Sequence, residues 1–91
     1  MIKIKKGTVV QDWYGKEIMG TYVVSIIPLG NLLGDKWALV SLNGQGVANG
    51  YRDSLEELEK SLNNSGTWKA LDVNLEELIE EKTANQLELN S

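Results

Sequence analysis

The sequence predicts an α+β fold: an antiparallel sheet of four to five strands, the first three of which can curl in a barrel-like way, with two helices packed on one face. Two observations predict it. Apolar and polar side chains alternate from Ile2 to Lys5, and residues 36–42 also fit the two-residue period of a β-strand. Leucines recur every three or four residues after Ser54 and again after Asn74, which is the period of a helix that packs by one side.

The predicted strands occupy the first half of the chain. Ile2 and Ile4 alternate with lysines, which indicates a strand with one apolar and one solvated face. Residues 17–27 are dense in Val, Ile, Tyr and Thr, which strands favour, and Pro28 ends this strand because proline lacks an amide donor. Residues 37–42 are mostly apolar on both sides, which indicates a central strand.

The glycine-rich middle of the chain predicts a hairpin followed by a helix. Asn43 and Gly44 form the pair that favours a two-residue type I′ turn, because both central residues of that turn need a positive φ. Residues 45–53 then form the return strand. Ser54 and Glu57 have the spacing of a capping box, so we expect the first helix to begin here.

The second half predicts a helix, a short strand and a second helix. The helix-breaking run Asn-Asn-Ser-Gly at residues 63–66 ends the first helix. A strand covers residues 67–73, and Asn74 with Glu77 repeats the cap spacing. The predicted core consists of Ile4, Val9, Val23, Ile26, Trp37, Leu39, Val40, Leu55, Leu58, Leu62, Trp68, Leu71, Leu75 and Leu78.

The length of 91 residues suits one small domain. We expect this domain to cover residues 1–82, because the apolar pattern fades after that point, and residues 83–91 to form a flexible tail. The basic start is not followed by the apolar run of a secretory signal, and the apolar stretches are too short to span a bilayer. These features predict a cytoplasmic protein with no membrane partner.

The composition argues against several kinds of chemistry. Without cysteine and histidine, the chain lacks thiolates, the usual ligands of structural zinc and the commonest general base. Its paired glutamates, such as Glu56 with Glu57, occupy adjacent helical positions and diverge, so they do not converge on a metal ion. We therefore expect a protein that is not an enzyme and that binds neither a cofactor nor a metal.

The charge is divided unevenly along the chain. Residues 1–52 hold six bases and three acids, whereas residues 53–91 hold three bases and ten acids, for a net charge of −4. Such asymmetry can mark a partner-binding face. The alternative is that strands and helices simply differ in surface composition.

A glycine-rich loop ahead of a helix can bind phosphate, but a P-loop needs a lysine followed by serine or threonine, and this stretch lacks both. An anion site remains an alternative, because the guanidinium group of Arg52 could bind an anion beside the loop. Trp13 and Tyr14 lie beside a predicted turn, where they could stack on a base, fill a partner's pocket or cap the end of the sheet. The candidate ligand- or partner-binding residues are Trp13, Tyr14, Asn49, Tyr51 and Arg52.

Residues 4–27 resemble the start of a KOW-type small β-barrel. The matching positions are Gly7, Val9, Gly15, Gly20 and Val23. This resemblance implies contact with RNA or with proteins of the transcription and translation machinery.

Residues 37–58 resemble small uncharacterised proteins of phages and prophages in Gram-positive bacteria. The shared pattern is an apolar strand, a turn with Asn or Gly, a short strand with an aromatic residue, and a helix entry like "DSLEEL". No established activity comes with this resemblance.

Together these features predict a small non-catalytic binding module. We expect a phage or mobile-element protein that binds or inhibits a host protein, or that associates with itself. One alternative is a nucleic-acid-binding small barrel that uses the basic N-terminal half. The other is a protein that sequesters a small anionic ligand beside Arg52.

Overall fold

A computed structural model describes residues 1–44 and 46–79, and of Asn49 the backbone alone. The elements are β1 (Thr8–Tyr14), β2 (Glu17–Pro28), β3 (Asp35–Ser41), β4 (Val47–Arg52), α1 (Leu55–Ser65) and β5 (Trp68–Asn74). The five strands form one antiparallel sheet in the order β4-β3-β2-β1-β5, and a helical stretch at residues 75–79 follows β5. This architecture agrees with the predicted α+β class. The predicted tail at residues 83–91 lies outside the described residues.

Helix α1 connects the two edges of the sheet. Strands β1 to β4 are joined in sequence order, so β4 ends at one edge. The helix contacts β4, β3 and β5, and it returns the chain to the free side of β1, where β5 pairs. One sheet face is therefore covered by α1. No helix in the described part of the chain combines the length and the apolar character needed to cross a membrane.

The hydrophobic core lies between α1 and the sheet face that it covers. Register pairs Val24 of β2 with Leu39 of β3, and side chains of directly paired residues share a face. Leu58 and Leu62 of α1 are fully buried against this face. The buried core cluster consists of Ile4, Val10, Val24, Leu39, Leu58, Leu62 and Trp68.

The predicted core is partly wrong. Ile26, Leu71 and Leu78 are exposed, whereas Val10 and Val24, which the prediction omitted, are buried in the cluster. The error has a physical cause: strand side chains alternate between faces, and here each core valine has a valine neighbour on the opposite face. The pattern therefore does not distinguish the two faces.

The predicted strand at the N-terminus begins later than expected. The strand β1 starts at Thr8, and the residues before it run beside α1. Ile2 exchanges two hydrogen bonds with the Asn63 side chain: its amide donates to Oδ1 at 2.8 Å, and its carbonyl accepts from Nδ2 at 3.1 Å. The Ile4 amide donates to Glu59 Oε2 at 2.9 Å. The alternation of isoleucine and lysine thus marks a segment bound to helix side chains.

The predicted two-residue type I′ turn is also wrong. The Ser41 amide donates to the Gly46 carbonyl at 2.8 Å, so the connection between β3 and β4 is longer than the Asn43–Gly44 pair. Gly44 does adopt a positive φ of 79°, as that pair predicted. Gln45, in the same connection, lies outside the described residues.

The predicted start and end of α1 are confirmed. Ser54 is the N-cap, and its side chain accepts a hydrogen bond from the Glu57 amide at 3.2 Å. The Glu57 carboxylate accepts in turn from the Asp53 amide at 3.2 Å. Gly66 ends the helix with a left-handed φ of 73°. Local hydrogen bonds of this kind depend on neighbouring residues only, which is why the sequence predicts them.

Candidate functional site

The predicted site residues lie in two separate places. Trp13 and Tyr14 are at the end of β1, where β2 begins. Tyr51 and Arg52 are at the end of β4, which is separated from β1 by two strands. Arg52 pairs with Trp37 at the start of β3, so it also lies at the opposite end of the sheet. Asn49 belongs to β4, and its side chain lies outside the described part of the chain.

Trp13 is held within the protein. The Lys69 ammonium lies 4.4 Å from the centre of the Trp13 ring, in cation–π contact. The backbone amide of Trp13 donates to the Thr67 carbonyl at 2.9 Å. The indole Nε1 is buried and has no hydrogen-bond partner among the described residues. Tyr14, one residue further along, is 77% exposed. Of this predicted pair, Tyr14 is therefore the residue that a partner can reach.

Arg52 faces α1. Its Nη2 donates a hydrogen bond to Ser61 Oγ at 3.3 Å, and a shallow cavity beside it is lined by residues of one side of the helix. The glycines of the β3–β4 connection lie at the other end of β4. Arg52 pairs with Trp37, and Gly46 lies opposite Ser41, so four residues of β3, or roughly 13 Å, separate Gly46 from Arg52. The glycine-rich loop and Arg52 therefore do not form one anion site.

The sheet face opposite α1, here called the open face, is apolar across four strands in the part of the chain that the structure describes. Val9 pairs with Val23, Val23 with Val40, and Val40 with Val47, so one row of four valines crosses from β1 to β4. Their neighbours Val10, Val24 and Leu39 belong to the core, and strand alternation places the valine row on the other face. Val47 is exposed, Val23 and Val40 are half-buried, and Val9 is buried, with 4% of its surface exposed.

The apolar surface continues toward the β1–β2 hairpin. Ile18, Met19 and Leu42 are 49%, 60% and 51% exposed, and they line one shallow pocket together with Thr21. Ile18 pairs with Trp13 beyond a register shift in the hairpin. The Leu42 amide donates to the Thr21 carbonyl at 3.0 Å, which holds the end of β3 against β2.

Charges on the open face are few. The paired positions of this face in the described residues hold no aspartate or glutamate, and their lysines are Lys36 and Lys69. Lys36 forms an ion pair with Asp53, and Lys69 covers the Trp13 ring. An apolar partner placed here would therefore bury little uncompensated charge.

Both edges of the sheet are irregular. In β5, the three residues 71–73 lie opposite the single residue Val9 of β1. In β4, the three residues 49–51 lie opposite the single residue Ala38 of β3. Such bulges bend an edge strand and interrupt the row of backbone groups that another strand would pair with. The edges are therefore poorly suited to the addition of a further strand.

The basic and acidic parts of the chain form ion pairs with each other. Lys3 lies 3.7 Å from Glu59, Lys6 lies 3.2 Å from Glu76, and Lys5 forms an ion pair with Glu77. The basic start of the chain thus contacts acids of its second half. These pairs are largely exposed, so each contributes at most about 1 kcal/mol to stability.

Sequence reasoning missed Ile18, Met19, Leu42 and the valine row as surface residues. A signal for them was present, because β3 was recognised as apolar on both sides. The register shift in the hairpin and the strand order, which bring these side chains together, depend on tertiary pairing.

Among residues 1–44 and 46–79, acidic side chains form no cluster of three or more that could hold a metal ion. Comparisons with protein-family models, with curated proteins and with solved structures find no match for this chain. Function is therefore inferred from the geometry of the chain itself.

Proposed function

We propose that this chain is a small non-catalytic binding module whose open face binds another protein. The observation that carries the proposal is the apolar surface formed by the valine row together with Ile18, Met19 and Leu42. Soluble proteins seldom expose contiguous apolar patches of several hundred Å², and such patches commonly mark interaction sites.

The free energy gained by burying apolar side chains indicates how much of the open face must take part in binding. Complete burial of an Ile, Leu or Met side chain contributes about 1.5–3 kcal/mol. Ile18, Met19 and Leu42 are about half exposed, so burying the rest contributes roughly 3 kcal/mol in total. Association costs at least about 4 kcal/mol because the two proteins lose translational and rotational freedom. Val47 and the exposed parts of Val23 and Val40 must therefore join these three residues for binding to be stable.

Two classes of protein are candidate partners. The resemblance of residues 37–58 to small phage and prophage proteins favours a protein of a bacterial host, which this chain would bind or inhibit. The second class is another copy of the chain. In both cases the bulged edges favour binding by packing of side chains, and not by addition of a strand.

We rank a nucleic-acid partner lower. Binding to phosphates is driven by lysines and arginines that can replace counterions. Lys3, Lys5 and Lys6 contact glutamates of the same chain, which lowers the positive potential of the N-terminal segment. An anionic ligand ranks lower as well, because Arg52 is far from the glycine-rich loop.

A binding experiment with matched variants tests the proposal. Tagged chain is mixed with untagged chain and with a lysate of a Gram-positive bacterium, and captured proteins are identified. We expect Met19→Lys and Leu42→Lys to lose the captured partner, because an apolar contact would have to bury an ammonium group. Leu32→Lys is the control, since Leu32 is fully exposed at the opposite end of β2. Equal capture by all variants would refute the proposal.

A further inference from the structure

We propose that Asn43 is a site of spontaneous deamidation, in which its side-chain amide becomes the carboxylate of aspartate or isoaspartate through a cyclic imide with Gly44. The only co-reactant is water. The product is a new negative charge at the pocket that Asn43 shares with Ile18, Met19 and Leu42. The reaction does not depend on the proposed function, but its consequence for binding at the open face does.

Gly44 removes the steric barrier to ring closure. The imide forms when the backbone nitrogen of the residue after the asparagine reaches the side-chain carbon Cγ. Glycine lacks the Cβ that would obstruct this approach, and its backbone rotates more freely than that of any other residue. Gly44 has a φ of +79°, and nothing lies within 4 Å of the position of an added Cβ. Asn43 and Gly44 are both exposed, so water and hydroxide reach the peptide bond between them.

The Asn43–Gly44 peptide lies outside the ladder of the sheet. Strand β3 ends at Ser41 and β4 begins at Val47, and the Ser41 amide donates to the Gly46 carbonyl across the connection. In a central strand or a helix, backbone hydrogen bonds oppose the rotation that brings an amide nitrogen toward the preceding side chain. The peptide that has to rotate here is therefore one that the sheet does not hold.

The Ser41 hydroxyl is placed to activate the side-chain amide of Asn43. It donates a hydrogen bond to Asn43 Oδ1 and accepts one from the Asn43 backbone amide at 3.3 Å. Ser41 is buried, which fixes the position of this donor. A donor on the amide oxygen stabilises the negative charge that collects there when a nucleophile attacks Cγ. The hydroxyl binds the oxygen that stays, and not Nδ2, which is the nitrogen that leaves.

The atoms of the reaction balance with water alone. Hydroxide takes the proton of the Gly44 amide, and the nitrogen forms a bond to Cγ of Asn43. The bond between Cγ and Nδ2 then breaks, Nδ2 takes a proton from water, and ammonia leaves. Water next opens the ring. Breaking the bond from Cγ to the Gly44 nitrogen gives aspartate, whereas breaking the bond from the backbone carbonyl carbon to that nitrogen gives isoaspartate.

The new charge falls beside the open face. A partner that packs on Ile18, Met19 and Leu42 would have to cover a carboxylate, and an unpaired buried charge is costly. Isoaspartate also inserts Cγ of residue 43 into the main chain directly after Leu42, whose amide is held by the Thr21 carbonyl at 3.0 Å. We therefore expect deamidation to weaken binding at the open face.

Mass spectrometry of the folded chain, aged in buffer at neutral pH, tests the reaction. The tryptic peptide 37–52 contains both Asn43 and Asn49, so fragment spectra are used to assign the replacement of NH2 by OH. We expect Asn43 to be converted about tenfold or more faster than Asn63, whose following amide is held in α1. Conversion of Asn43 as slow as that of Asn63 would overturn the proposal.

Two variants test the roles of the neighbouring residues, with thermal melts to show that each is folded. Gly44→Ala should slow the conversion of Asn43 about tenfold, because it adds the obstructing Cβ. Ser41→Ala should slow it severalfold, because the donor to Oδ1 is lost. If neither folded variant slows the conversion, the mechanism at this site is wrong.

Capture from a lysate separates the reaction from its consequence. Asn43→Asp carries the charge of the product, whereas Asn43→Gln stays neutral and is the matched control. We expect Asn43→Asp to lose a partner that Asn43→Gln retains. If Asn43 is converted but Asn43→Asp still captures the partner, the modification site stands and its effect on binding is wrong. If no form of the chain captures a protein, the proposed function fails, while the conversion measured by mass spectrometry still decides the proposal for Asn43.

Discussion

At Gly7 three segments of the chain meet. Its amide donates to the Val24 carbonyl at 2.8 Å, and its carbonyl accepts from the Leu75 amide at 2.9 Å. The φ of Gly7 is +91°, and a Cβ at this position would lie 2.5 Å from Asn74 Oδ1. Both the backbone conformation and the available space therefore require glycine.

We predict that Gly7→Ala lowers the free energy of unfolding by about 2 kcal/mol or more, through left-handed strain of about 1–2 kcal/mol together with the clash. Gly15→Ala is the control, because Gly15 has a φ of +61° and nothing within 4 Å of an added Cβ. Gly15→Ala should lower the free energy of unfolding only by the left-handed strain of about 1–2 kcal/mol. Denaturant unfolding measures both variants, and equal losses would show that the space around Gly7 is not limiting.

At the scale of elements, the N-terminal segment is fastened to α1 by side chains. Asn63 binds both the amide and the carbonyl of Ile2, and Glu59 accepts from the Ile4 amide. Ile4 is buried beneath these contacts and belongs to the core cluster. The segment thus covers one end of the core without joining the sheet.

We predict that Asn63→Ala loosens this segment and lowers the free energy of unfolding by about 1–3 kcal/mol, because two hydrogen bonds to Ile2 are lost. Amide hydrogen exchange at Ile2 and Ile4 should accelerate relative to exchange within β3. The neighbouring Asn64 is exposed, so Asn64→Ala serves as control. Unchanged exchange at Ile4 in the Asn63 variant would contradict this role.

The sequence predicts elements better than it predicts their contacts. The cap at Ser54 and the end of α1 at Gly66 follow from local hydrogen bonding and backbone preference, so both were predicted. The alternation of Ile2 and Ile4 fits a strand and a helix-bound segment equally well, so the start of β1 was misplaced. Neighbouring valines in β1 and β2 made the choice of core face arbitrary.

The candidate site was harder to predict. Trp13 and Arg52 were grouped as site residues, but strand order and direction separate them by two strands and the length of the sheet. Strand order is set by long-range pairing, which single-sequence patterns do not contain. Met19 and Leu42 come together only through that pairing.

At the scale of the whole molecule, the two halves of the chain have complementary charges and shared packing. Lysines of the first half pair with glutamates of the second, and α1 covers one face of a sheet built mainly by the first half. Among the described residues, this arrangement leaves a second apolar face. The central claim is that this open face is buried against another protein.

The two methionines of the chain allow a direct test without any substitution. Met19 is 60% exposed at the edge of the open face, and Met1 is fully exposed beside Asn63 of α1 and Trp68 of β5. Dilute peroxide oxidises accessible methionine to the sulfoxide, and mass spectrometry gives the rate at each position. The account predicts that, when the partner captured from the lysate is added in excess, oxidation of Met19 slows relative to Met1. A Met19-to-Met1 ratio that the partner leaves unchanged would contradict burial of the open face by another protein.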